Sequence, residues 1–118
     1  MHLSKIKQSR ILLVQISQCM TSGLSLNKAL CLIRDHETKN EQRQIMNKSI
    51  SDLNKGHSFM SCLRPLLPKD LSLSNLSTKH NPDIRILLPH LIHFMDTKIS
   101  QIEMIKKENI RLRKSVLL

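Results

Sequence analysis

The chain contains two glycines, and the same arrangement of side chains follows each of them. Gly23 is followed by Ser25, Leu26, Ala29 and Leu30. Gly56 is followed at identical offsets by Ser58, Phe59, Cys62 and Leu63. Glycine takes the left-handed backbone that ends a helix without the penalty a Cβ would bring. A serine two residues later can accept from the free N–H groups that open the next helix. The three apolar positions then fall on one face of that helix. Each stretch predicts a tight αα corner, so a chain with two of them must pack helix against helix.

Composition agrees with an all-α fold. Leu and Ile dominate the apolar residues, Val occurs only at positions 14 and 116, and there are four prolines. Leu without Val favours helices over sheets. A length of 118 residues is that of a single domain with one core, so residues 1–118 are read as one unit.

The first helix is expected from Ser4 to Ser22, with Ile6, Leu13, Ile16 and Met20 at helical spacing and Leu12 and Cys19 widening the stripe. Ser25 caps a second helix, which fades between Asp35 and Glu37. Thr38, with Glu41 three residues on, has the spacing of a capping box for a third helix carrying Met46, Ile50 and Leu53. A short fourth helix ends at Pro65 and Pro68. Asp70 is read as the cap of a fifth segment with Leu71, Leu73 and Leu76, reaching about Lys79.

Asn81-Pro82-Asp83 predicts the start of a long last helix, with proline in the first turn and aspartate at the positive end of the dipole. Ile84, Leu88, Leu91, Met95, Ile99, Ile102 and Ile105 keep a near-heptad rhythm along it, and Pro89 is expected to kink it. The helix carries Lys106, Lys107, Arg111, Arg113 and Lys114 immediately before Val116-Leu117-Leu118. A basic flank leading into an apolar run is how a cytoplasmic juxtamembrane segment begins.

The 19 Lys and Arg against 9 Asp and Glu give a net charge of +10, which favours an anionic partner. No run of about 18 apolar residues is present, and no signal peptide is predicted. Cys19, Cys31 and Cys62 form no Cys-x-x-Cys pair; their odd number suits a reducing compartment, and each is read as a small core hydrophobe.

Two glycines leave little with which to build a nucleotide cradle. No nucleophile elbow or paired-carboxylate motif occurs, so no enzyme, catalytic residue or cofactor is predicted. His90, His93 and Asp96 fan round the last helix without a further ligand, and no metal site is assigned. The serious rival is a DNA reader: the helices flanking Gly23 imitate a helix-turn-helix, with Asn27, Lys28 and Arg34 available to a groove. Against it, the corner recurs at Gly56 and the densest positive charge lies at the far C-terminal end. With no Trp or Tyr there is no platform for stacking single-stranded bases, and no nucleic-acid partner is assigned.

Taken together, the pattern resembles the F domain of inner-membrane platform proteins of type II secretion and type IV pilus assembly, possessing two of its corners. The Ala/Ser-Gly-apolar-x-Leu-x-x-Ala-Leu corner of that family is matched by Ser22-Gly23-Leu24-Ser25-Leu26-Asn27-Lys28-Ala29-Leu30. A later Leu-x-x-Gly-x-Ser-apolar-x-x-apolar-Leu corner is matched by Leu53 through Leu63, and a proline-containing loop follows at Pro65 and Pro68. The family's Gly-Glu-x-x-Gly-x-Leu stretch is replaced by Ser77 through Ile84, without either glycine or the glutamate. This departure points to a divergent branch, such as bundle-forming or toxin-coregulated pili, and removes any acidic metal ligand there.

The resemblance covers residues 9 to 118. It implies a bundle of about six antiparallel helices on the cytoplasmic side of a bacterial inner membrane, its long C-terminal helix leading toward a membrane segment of a longer polytopic protein. It further implies a noncatalytic domain that couples a hexameric assembly ATPase to other inner-membrane assembly proteins, and it is compatible with a homodimer. Gly23, Ser25, Gly56 and Ser58 would set the corners and the five basic residues would meet the anionic leaflet.

Overall fold

A computed structural model describes residues 3–69 and 83–117, with side chains placed as far as Lys114. The described residues form five α-helices and no strand: α1 (Leu3–Thr21), α2 (Leu26–His36), α3 (Asn40–Asn54), α4 (Phe59–Leu63) and α5 (Ile84–Leu117). A 3-10 turn over Arg64–Leu66 closes α4, with Pro65 inside it. The expected fifth segment from Asp70 to Lys79, and the Asn81-Pro82 lead into the last helix, lie outside the described residues, as does Leu118.

Both corners form, and they form alike. Gly23 has φ +104° and Gly56 has φ +85°. At the first, the Gly23 N–H donates to the Met20 carbonyl (3.0 Å) and the Leu24 N–H to that of Cys19 (3.1 Å). At the second, the Gly56 N–H donates to Leu53 and the His57 N–H to Asp52, both at 3.1 Å. This pair of nested bonds is the Schellman motif, which satisfies carbonyls that a helix end otherwise leaves open. The Ser25 hydroxyl then accepts from the Lys28 N–H, and that of Ser58 from the Ser61 N–H, each at 3.2 Å. One helix is thus ended and the next begun with four residues between them.

The corners stack α1, α2, α3 and α4 in sequence, and α5 returns along α1. Lys7 pairs with Glu103 and Arg10 with Asp96, in opposite order along the two helices, so α1 and α5 are antiparallel. Between the helices lies one core that includes Ile6, Leu13 and Ile16 of α1, Leu30 of α2, Met46 and Ile50 of α3, and Leu88, Leu91 and Met95 of α5. Ser9 enters it because its hydroxyl donates to the Leu66 carbonyl at 3.0 Å, tying α1 to the 3-10 turn. Ser49 is fully buried, and among the described residues its hydroxyl has no hydrogen-bond partner.

Two helix starts differ from expectation. Thr38 does not cap α3; the cap position is Lys39, which supplies no side-chain bond. The Glu37 carboxylate instead accepts from the Lys39 N–H at 3.0 Å, turning the chain one residue later and using a longer side chain than a capping box would. The last helix starts at Ile84 and not at Pro82, with Asp83 at its positive end as expected: its carboxylate accepts from the Arg85 N–H (2.9 Å) and its carbonyl from Ile86 and Leu87. From there α5 runs unbroken through Pro89.

No atom lies within 4 Å of where a Cβ would stand on Gly23, so any cost of substitution there comes from the backbone alone. Gly23→Val is expected to lower unfolding stability by about 1–2 kcal/mol. Ser25→Ala should lower it by about 1 kcal/mol. Ser49→Ala removes a buried hydroxyl without a partner among these residues and should leave the melting temperature unchanged or raise it. Thermal denaturation of the three variants beside the parent checks all of this.

Candidate functional site

The residues singled out in the sequence fall into two groups. At the corners, Ala29 and Cys62 occupy equivalent positions and are both fully buried, and so are Leu30 and Leu63. Leu26 is buried, while its counterpart Phe59 packs on the core with part of its ring exposed. The equivalence is structural, since each helix enters the same core just after its cap. The Asn27 amide donates to the Asn54 carbonyl oxygen at 2.6 Å, so a side chain of the first corner holds the end of the helix that leads into the second.

The second group is the end of α5. From Met104 to Lys114 every residue is exposed. Lys106, Lys107, Arg111, Arg113 and Lys114 are all in this stretch, and so is Glu108, which pairs with Arg111 at 3.5 Å. Met104 is 65% exposed, and Ile105 and Leu112 are each 60% exposed. The near-heptad apolar rhythm runs to Ile105, but the bundle covers it only as far as Ile102, which is partly buried against the core. The basic and apolar side chains therefore share a segment of helix with no neighbour among the described residues. No helix among those residues is long and apolar enough to cross a membrane.

The clamp that ends the covered part of α5 was not found from the sequence. Lys7 reaches Glu103 at 3.1 Å and Arg10 pairs with Asp96, beside a shallow groove whose walls include Ile11 and Ile99. Opposite charges 86 residues apart in sequence carry no local signal of pairing. Exposed pairs of this kind contribute little stability, typically under about 1 kcal/mol, but they select the register of α1 on α5.

The residues offered to a DNA groove are largely spent within the fold. Asn27 is bonded to Asn54, and Arg34 pairs with Asp35 and donates to the Asn47 carbonyl oxygen at 3.1 Å. Lys28 remains exposed. His90 and His93 are exposed on α5, and Asp96 is taken by Arg10. Among the described residues no three His, Cys, Asp or Glu side chains gather in a way that could hold a metal ion.

All three cysteines are free. Cys62 is buried, its thiol lies 3.7 Å from the His57 carbonyl, and desolvation pushes its pKa up, with the Asp52 carboxylate adding to the shift. Cys19 and Cys31 are half-buried. In the folded protein Cys62 should therefore react with a thiol reagent more slowly than the other two, and all three should react together in denaturant. The folded chain holds this proton more tightly than the unfolded one. Its contribution is thus complete below the ordinary thiol pKa of about 8.5 and is lost as pH rises through the raised value. Time-resolved alkylation followed by peptide mass analysis gives the order. No family model, curated protein or solved structure matches this chain.

Proposed function

We propose that this chain is the noncatalytic cytoplasmic domain of an inner-membrane platform protein for type IV pilus biogenesis or type II secretion. In this role it couples a hexameric assembly ATPase to the membrane machinery. The observation that carries the reading is the pair of glycine-serine corners, whose residues stand at the spacing of the resembled family, whose caps are equivalent, and whose Ala29–Leu30 and Cys62–Leu63 positions are alike buried. In finer detail, the bundle has six antiparallel helices, and α5 leads toward a membrane segment of the full-length protein.

The mechanism is mechanical. α1 lies antiparallel on α5 and is fixed in register by the Lys7–Glu103 and Arg10–Asp96 pairs. A displacement imposed on the bundle by the ATPase is carried along α5, a helix of 34 residues and about 51 Å. The ATPase supplies the energy, and pilin subunits are lifted from the bilayer into the filament. Lys106, Lys107, Arg111, Arg113 and Lys114 hold the far end at the anionic leaflet, each contributing about 1 kcal/mol near the surface.

The second reading, a basic helix-turn-helix DNA reader, has the net charge in its favour. The engagement of Asn27 and Arg34 with α3 weighs against it.

Saturable binding of the chain to its cognate hexameric ATPase is the expected result in a co-sedimentation assay. No binding to the ATPase, with sequence-selective and steeply salt-dependent binding to duplex DNA, would overturn the proposal in favour of the second reading. Replacing the five basic residues by Gln should weaken binding to anionic vesicles, by about fivefold per residue. Flotation of the parent and the variant with the same vesicles measures it.

A further inference from the structure

The exposed end of α5 carries more than positive charge. At 100° per residue, Met104, Leu112 and Ile105 fall within an arc of about 100°, while the five basic residues occupy an arc of about 160° on the other side. Glu108, the acidic residue of this stretch, falls inside the apolar arc between Met104 and Leu112 and pairs at 3.5 Å with Arg111 at the edge of the basic arc. Three large apolar side chains, each at least 60% exposed, thus lie on one side of this helix end, and an exposed apolar patch is where a partner or a membrane attaches. Segregated apolar and Lys/Arg faces on one helix are the signature of a helix that lies in the plane of a membrane interface.

The described residues leave that face free. The stripe of α5 buried in the bundle, formed by Leu88, Leu91 and Met95, is centred about a third of a turn round the helix from the Met104–Leu112 arc. The bundle therefore stands beside the helix and not beneath it.

We infer that residues 104–114 lie along the surface of an anionic bilayer, with Met104, Ile105 and Leu112 sunk among the acyl chains and the basic side chains at the lipid phosphates. Ile110 sits among the basic residues and faces water. The inference rests on the reading that this end of the chain meets an anionic leaflet, and it adds that the contact is side-on and apolar as well as electrostatic. Charge complementarity names the occupant: within residues 104–114 five cationic side chains face one carboxylate, which suits lipid phosphates and opposes a second copy of the same segment.

The chain has no Trp or Tyr, so one introduced Trp is the sole indole reporter. Ile105→Trp, Leu112→Trp and Ile110→Trp leave the charge unchanged, and circular dichroism checks that each keeps the parent's helix content. With phosphatidylglycerol vesicles, emission from positions 105 and 112 should shift to shorter wavelength and be quenched by lipids brominated on their acyl chains. Emission from position 110 should do neither. Vesicle binding with no shift at 105 and 112 would overturn the apolar contact while leaving the basic attachment standing. An absence of vesicle binding would overturn both. A shift at 105 and 112 that grows with protein concentration and needs no vesicles would overturn the inference in favour of a second copy of the chain.

Discussion

Everything in this fold depends on ending one helix and starting the next across four residues, twice. The carbonyls at the end of α1 and α3 are satisfied by N–H groups that reach them only because Gly23 and Gly56 adopt positive φ. The first free N–H groups of α2 and α4 are met by Ser25 and Ser58. Because both ends are capped by the chain itself, the corners can sit at the surface while the residues just beyond them, Ala29, Leu30, Cys62 and Leu63, are buried. The geometry of the turn thereby decides which face of the following helix enters the core.

A small all-α domain also has to place α5 on α1, and here burial and charge act at different levels. Ile6, Leu13, Ile16, Leu88, Leu91 and Met95 supply the hydrophobic stabilisation, and a slip of one residue would turn either stripe about 100° out of the core. The Lys7–Glu103 and Arg10–Asp96 pairs add little energy but distinguish one register from the next. The Ser9 hydroxyl on the Leu66 carbonyl acts the same way between α1 and the turn after α4, since a buried polar group tolerates few alternative positions. The register has a functional consequence. It sets where the cover of α1 stops, and hence which turns of α5 project with both their basic and their apolar side chains.

The projecting turns link the proposed role to the packing. A domain that passes force to a membrane needs a stiff element continuous with its core and an end that lipid can hold. α5 combines them in one helix, since its first turns are buried and its last described turns are solvent-exposed and cationic. A helix satisfies its own backbone hydrogen bonds, so it can leave the bundle without a neighbour and keep its form.

The two corners were legible in the sequence because their physics is local: a left-handed glycine, a serine cap and three apolar offsets all lie within eight residues. The amphipathic faces of α1, α2 and α3 were legible for the same reason, as was the basic end of α5. The start of α3 lies one residue beyond Thr38, at Lys39, whose N–H is taken by the Glu37 carboxylate, a neighbour that the capping-box spacing does not include. The limit of burial along α5 could not be read at all, since the apolar rhythm passes through Ile102 and Ile105 without a break. Composition and spacing by themselves determined an all-helical chain turning at two glycines with a cationic end. Only the tertiary structure decided which apolar residues stay uncovered, because that depends on where a helix from the other end of the chain comes to rest.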